Sequence, residues 1–176
     1  MGPAENFHFD TAELSRGGVV LRHFREDDAD DLLATCQDVA VLEWTQVPLS
    51  YTRDMALEWC NQAPGTRWVI TVRDGPESGR FMGQIELRVH NEHYVSVGYM
   101  TAPWARGRGL MTEAVRLLTE WALERGAARV ELCVHPDNAA SRRVAEKAGY
   151  TNEGVRRNGE VLRGEVRDLV VYSAIP

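Results

Sequence analysis

Lysine is nearly missing from this 176-residue chain: Lys147 is the only one, and arginine supplies every other basic side chain. That bias points to no mechanism. Cysteine is scarce too. Cys36, Cys60 and Cys133 are odd in number and far apart, with no CxxC spacing, which argues against a disulfide framework and a zinc site. Positive charge is in deficit at a formal net charge of -6, so the bulk field repels nucleic acid. No apolar run approaches the roughly 20 residues that span a bilayer. The opening MGPAEN has no apolar core or cleavage pattern, and Asn6 stands where myristoylation needs Ser or Thr. A cytoplasmic protein is the expectation.

What is present is ordinary: 44% hydrophobic, 26% charged and 8% aromatic residues, the composition of a folded globular chain. Its length suits one domain over residues 1–176. Residues 1–15 are weakly patterned and read as an N-terminal arm or extra strand.

Periodicity supplies the elements. Residues 19–24 read as a strand, and Glu26, Asp27 and Asp28 place negative charge at the start of a helix reaching about Gln37. Residues 44–49 read as irregular, and Thr52 as the N-cap of a helix to about Gln62. Strands follow over residues 67–73, 81–89 and 94–100, separated by short turns, which is an antiparallel meander. Residues 110–125 carry the apolar stripe Leu110, Ala114, Leu117, Leu118 and Trp121 of an amphipathic helix, closed by Gly126. A short strand over 130–134, a helix over 139–148 and further strand from Tyr150 complete the pattern. Strand, helix, strand between Tyr94 and Val134 predicts two parallel neighbours. The fold class is α+β, a mixed and mostly antiparallel sheet with about four helices.

One segment carries chemistry: Pro103-Trp-Ala-Arg-Gly-Arg-Gly-Leu-Met-Thr-Glu-Ala114, between a strand and a strong helix. Gly107 and Gly109 let backbone approach a ligand, Arg106 and Arg108 add charge, and the helix start offers free N–H groups. Bare, these features fit a pyrophosphate cradle and equally a turn with solvated arginines. Thr112 replaces the third glycine of the dinucleotide fingerprint, and no Gly-Lys-Ser/Thr follows, which excludes a P-loop.

The segment is similar to the Q/R-x-x-G-x-G/A acetyl-CoA motif of the GNAT (Gcn5-related N-acetyltransferase) superfamily. With VELCVHPDNAASRRVAEKAGY and EGVRRNG, it resembles the ribosomal-protein N-acetyltransferase (RimJ/RimL-like) branch, from Val19 onward. Trp104 departs from the motif, standing where Gln or Arg is usual. The resemblance implies the GNAT fold, acetyl-CoA as acyl donor and an amine as acceptor. It also implies that Tyr99, Met100 and Thr101 pair their backbone with the pantetheine arm. Arg106, Gly107, Arg108, Gly109, Leu110 and Met111 would hold the pyrophosphate. Asn138 and Ser141 match the family's Asn-x-x-Ser, although Asn138 also reads as a helix cap. A homodimer is implied as well.

Acyl transfer needs a neutral amine. At pH 7.4 an α-amine of pKa ~7.8 is neutral about a quarter of the time, and a lysine side chain at ~10.4 about one part in a thousand. A protein N-terminus therefore asks little of a base. Ser141 is the candidate to protonate or hydrogen-bond the departing thiolate. The Glu base of many relatives is replaced by Cys133 and their Tyr acid by Ala145. The branch resemblance instead implies Glu160, which also fits a solvated turn. Glu86 is a second candidate base, with an ion pair to Arg88 as its alternative. His135 could be a base or an incidental loop histidine; His90 and His93 lack further metal ligands nearby, and no metal is expected. Three readings stay open: acetylation of a protein N-terminal amine, acylation of a small-molecule amine or use of another acyl-CoA, and a silent CoA-binding regulatory module.

Overall fold

A computed structural model describes Phe9 and residues 12–176. The arm expected at the N-terminus lies outside them over residues 1–8, 10 and 11. Strand β1 (Leu14–Arg16) leads through a glycine turn into β2 (Val19–Arg22). Three short helices follow: α1 (Ala29–Cys36), α2 (Val39–Trp44) and α3 (Arg53–Cys60). The meander is β3 (Arg67–Val72), β4 (Gly83–Val89) and β5 (Tyr94–Thr101). Helix α4 (Leu110–Glu124), β6 (Arg129–Val134), α5 (Ala139–Lys147), β7 (Thr151–Leu162) and β8 (Glu165–Ala174) complete the order.

All eight strands form one sheet in the order β1-β2-β3-β4-β5-β6-β8-β7. Every pairing is antiparallel except β5 with β6. That exception is the parallel pair expected of the strand-helix-strand unit. The described residues hold five α-helices rather than about four. The unexpected one is α2, whose six residues are too few to show a period. Its start is set by Asp38, whose carboxylate accepts from the Val41 N–H at 3.2 Å. Thr52 caps α3 as expected, accepting from Met55 N–H at 3.3 Å.

Alternation along the strands sorts the helices onto two faces. Trp68, Ile85 and Tyr99 stand in register and face the α4 side, where Trp68 meets Trp121 edge-on at 5.6 Å. Val69, Gln84 and Met100 occupy the opposite face, and Trp59 of α3 donates to Gln84 at 3.1 Å. Both faces are therefore covered. Burying large side chains such as Trp68, Phe81, Leu21, Leu32 and Leu118 contributes about 1.5–3 kcal/mol each.

One buried ion pair ties the start of the helical layer to the sheet. Arg22 of β2 donates to both Asp28 oxygens, at 2.8 and 2.7 Å, and to the Gly79 carbonyl at 2.8 Å. The two side chains are only 6% and 5% exposed.

Candidate active site

The parallel pair β5–β6 is short. Its register runs Tyr94 with Arg129, Val95 with Val130 and Ser96 with Glu131, and stops there. Beyond Ser96, β5 keeps its ladder with β4, and beyond Glu131, β6 keeps its ladder with β8. The two strands therefore part, and residues 97–101 and 132–134 line a wedge through the sheet. Obligatory backbone donors and acceptors on its walls are left for a partner other than a neighbouring strand. A cleft of about 370 Å³ occupies this wedge. Its walls include Val97, Gly98 and Tyr99 of β5 and Leu132, Cys133 and Val134 of β6, with Asn138, Ser141, His135 and Glu160.

The predicted glycine loop follows directly from β5. Gly107 and Gly109 adopt φ of 72° and 76°, the left-handed region that favours glycine. A Cβ on either would meet no atom within 4 Å, so their backbone faces open space. Gly109 is the N-cap of α4 and has no side chain to satisfy the first N–H groups. Those donors and the dipole of a 15-residue helix suit an anion. The flanking arginines are engaged: Arg106 pairs with Asp38, and Arg108 reaches Glu77 at 2.7 Å. Trp104, where the motif usually has Gln or Arg, anchors the loop. Its indole donates to the Phe81 carbonyl at 2.9 Å, and Arg80 lies over its ring at 4.4 Å.

The strand-end residues alternate. Tyr99 faces α5, its hydroxyl 3.4 Å from the Ser141 carbonyl, while Met100 points to the other face with Leu32 and Cys36. Burial pushes the Tyr99 hydroxyl up to about 12, so it stays protonated and pins α5 to β5. Asn138 is the N-cap of α5, accepting from Ser141 N–H at 3.0 Å. The cap reading of Asn138 is thus what the geometry displays, and it fixes Ser141 at the cleft wall.

Glu160 lies within β7, not in a turn. One carboxylate oxygen accepts from the Gln46 side chain at 3.1 Å, and the other is 2.9 Å from His135 Nε2. His135 is 7% exposed and packs against Trp44 at 5.6 Å. Its Nε2 has no well-aligned hydrogen bond, so the contact with Glu160 is close but off the line of the ring N–H. The remaining candidates are tied elsewhere. Glu86 is held by Arg88 at 2.8 Å. Cys133 donates to Glu131 at 3.1 Å, and burial with that carboxylate pushes its thiol up to about 12, which makes it a poor nucleophile.

Glu131 was not singled out by sequence. Its side chain is 4% exposed and accepts from Tyr94 at 2.9 Å, Arg129 at 2.9 Å and Arg156 at 2.9 Å. Burial pushes its carboxyl up, but these bonds and the Cys133 thiol more than offset that and bring it to about 2. So well satisfied a carboxylate is a wall of the cleft and a poor base. The alternation Arg129, Glu131, Cys133 along an apolar strand was the available signal. A second cavity, of about 320 Å³, adjoins the first on the α1–α3 face, lined by Leu32, Tyr51, Trp59, Glu86 and Met100. Thr45 and Gln46 border both. Among the described residues no three His, Cys, Asp or Glu side chains gather as a metal site. No helix among them is long and apolar enough to cross a membrane.

Comparison with known proteins identifies the family and the fold. The acetyltransferase (GNAT) domain family model matches residues 19–151. "Putative ribosomal N-acetyltransferase YdaF" of Bacillus subtilis is 36% identical over 102 residues, 55% of each chain. That alignment and one to YjcK of the same organism, covering 44% of it, show that the chain spans about half the length of these relatives. The L-2,4-diaminobutyric acid acetyltransferase of Nocardia farcinica is 32% identical over 157 residues, 89% of this chain and 74% of that one. A GNAT-family acetyltransferase structure from Bacillus anthracis superposes with a TM-score of 0.83 at 19% identity, covering 93% of this chain and 98% of the other. The microcin C7 self-immunity acetyltransferase MccE, solved with acetyl-CoA and AMP, gives 0.79 at 18% identity, covering 92% and 94%. These two likenesses show the fold.

Proposed function

Because this chain belongs to the GNAT acetyltransferase family, we propose that it is an acetyl-CoA-dependent N-acyltransferase, with residues 1–176 acting as one catalytic domain. The observation that carries the reading is the wedge between β5 and β6. Its β5 wall leads on into the glycine loop, and its cleft is lined by Ser141 and Glu160. Backbone N–H groups of residues 107–111 are suited to the pyrophosphate of the donor. Tyr99, Met100 and Thr101 offer strand backbone to its pantetheine arm, and Asn138 and Ser141 border the thioester end.

In this reading Glu160 accepts a proton from the acceptor amine as its nitrogen attacks the thioester carbon. A C–N bond forms, the C–S bond breaks, and Ser141 hydrogen-bonds or protonates the departing sulfur. Transfer is direct, because the one cysteine in the cleft is held protonated. The acceptor read first is a protein N-terminal α-amine, which needs only modest base assistance. The similarity to a protein described as a ribosomal N-acetyltransferase supports it. A small-molecule amine is favoured by a different observation, the 89% coverage shared with the diaminobutyrate enzyme. Resemblance to the RimL-like branch extends the reading to a cytoplasmic homodimer, which light scattering on the purified protein tests.

The test is thiol release from acetyl-CoA with peptides bearing free N-termini, L-2,4-diaminobutyrate, polyamines and aminoglycosides, with products identified by mass. Release confined to peptides establishes the first acceptor class, and release confined to small amines the second. Acetyl-CoA binding with no release across the panel would point instead to a silent CoA-binding module.

A further inference from the structure

The β7–β8 hairpin and the segment after α2 are fastened to each other across the mouth of the cleft. Arg163, in the left-handed region at φ 50°, donates to the Thr45 carbonyl at 2.6 Å and the Val47 carbonyl at 2.7 Å. Between those two carbonyls, the Gln46 amide turns inward. It donates to the Val161 carbonyl at 2.8 Å and to Glu160 Oε1 at 3.1 Å. On the other side His135 Nε2 stands 2.9 Å from Glu160 Oε2. Each carboxylate oxygen thus has one partner, from two segments far apart in sequence.

From this geometry we infer that Gln46 and His135 are positioning residues that together aim the Glu160 carboxylate into the cleft. The inference rests on the reading of Glu160 as the base. A carboxylate on a strand can swing about its side-chain torsions, and proton abstraction requires it within hydrogen-bond reach of the amine. Gln46 holds one oxygen and carries no charge to compete for the incoming proton. His135 can attract the other only with a proton on Nε2, because two lone pairs facing each other repel. The 2.9 Å approach is therefore favourable only with Nε2 protonated, and Trp44 packs against the ring. Arg163 acts one step further out by fixing the backbone on both sides of Gln46. Because Thr45 and Gln46 border both cavities, the segment that orients the base also lines the adjoining cavity.

Two measurements test this. In steady-state kinetics with the acceptor that is acetylated, a Ser-Ala-Ala-Ala peptide amide or L-2,4-diaminobutyrate, Gln46→Met should lower kcat about 10- to 100-fold. KM for acetyl-CoA should be unchanged. Introduced into Glu160→Gln, which is itself expected to lose about 10²- to 10⁴-fold, Gln46→Met should then cost less than about 2-fold, because the group it aims is gone. Equal losses in both backgrounds would overturn the positioning role while leaving the base intact. Full activity of Glu160→Gln would overturn the base reading itself. The second measurement needs no acceptor: ¹⁵N spectra of histidine-labelled protein, with His135 assigned from the signals lost in His135→Asn. A proton on Nε2 is expected, with ring shifts that move in both Glu160→Gln and Gln46→Met. An Nδ1–H tautomer, or ring shifts indifferent to both variants, would overturn the assembly.

Discussion

At the scale of single residues, the cleft distinguishes groups that are free to act from groups already engaged. Ser141 is placed by its own backbone: its N–H caps onto Asn138 and its carbonyl receives Tyr99. Removing the hydroxyl leaves both contacts in place and gives up only a side-chain hydrogen bond with Tyr99. Ser141→Ala should therefore fold normally and lower kcat by roughly 10²-fold, the lower end of what a positioned acid contributes, as steady-state kinetics would reveal. A loss seen only in KM for acetyl-CoA would make Ser141 a binding residue instead. Cys133 gives the contrasting case. With its thiol pushed up to about 12, Cys133→Ala should keep kcat within about 3-fold, since the thiolate is the reactive form of cysteine. An acetylated Cys133 found by mass spectrometry after mixing with acetyl-CoA would contradict direct transfer.

Residue chemistry also explains what could be read beforehand. Gly107 and Gly109 were visible because only glycine combines a left-handed backbone with open space above it. Asn138 was legible as a helix cap, and its pairing with Ser141 came from the family's Asn-x-x-Ser pattern. The Glu131 network was not legible, because beyond Arg129 on its own strand its partners Tyr94 and Arg156 come from other strands that only the fold brings together. Nor could sequence reveal that Gln46 meets Glu160, a contact 114 positions apart.

At the scale of elements, the long periodic pieces were legible and the short ones were not. Helix α4 showed its stripe over four turns, and β3 to β5 showed their alternation. Helix α2 offered less than two turns, and its boundary was set by one aspartate side chain. The β7–β8 hairpin reads as strand, and its tip is the two-residue loop Arg163-Gly164, where positive φ at both positions matches the twist of the flanking strands. The Arg22–Asp28 pair fastens the start of the α1–α3 layer to the sheet, beside its buried apolar contacts. Asp28 also accepts from the Arg25 N–H at 2.8 Å, so it closes the turn that begins the layer. Asp28→Ala strands a buried guanidinium and should cost about 3–5 kcal/mol, read from urea unfolding. Replacing Arg22 by Met and Asp28 by Leu together should cost much less, because no unpaired charge remains. A loss under about 1 kcal/mol for Asp28→Ala would show that the pair is not a fastening of this layer.

At the scale of the whole molecule, sheet topology creates the site. A parallel pair of three residues within an otherwise antiparallel sheet parts where its ladder ends, and the same wedge that weakens the sheet admits a ligand. Charges along its β6 wall offset part of that weakness. Glu131 is held near 2 against an ordinary value of 4.5, so its contribution is fully present above pH 4.5 and is lost as pH falls toward 2. That shift corresponds to a contribution on the order of 3 kcal/mol at neutral pH. The stability gap between wild type and Glu131→Gln should therefore be widest above about pH 5 and shrink steadily toward pH 2, followed by urea midpoints at each pH. A gap that stays constant across that range would show that the carboxylate's charge is not what steadies the wedge.

Every role proposed for the cleft requires that the wedge and glycine loop take up the acyl donor. Calorimetric titration of acetyl-CoA into the wild-type protein, with Gly109→Val beside it, is the direct measurement. A β-branched side chain at φ 76° strains the loop by about 1–2 kcal/mol or more and projects into the space above the N–H groups. Saturable binding of one acetyl-CoA per chain, abolished or weakened at least about 10-fold in the variant, is the predicted result. A wild-type protein that folds normally yet shows no heat of binding at millimolar acetyl-CoA would contradict the proposed function at its root.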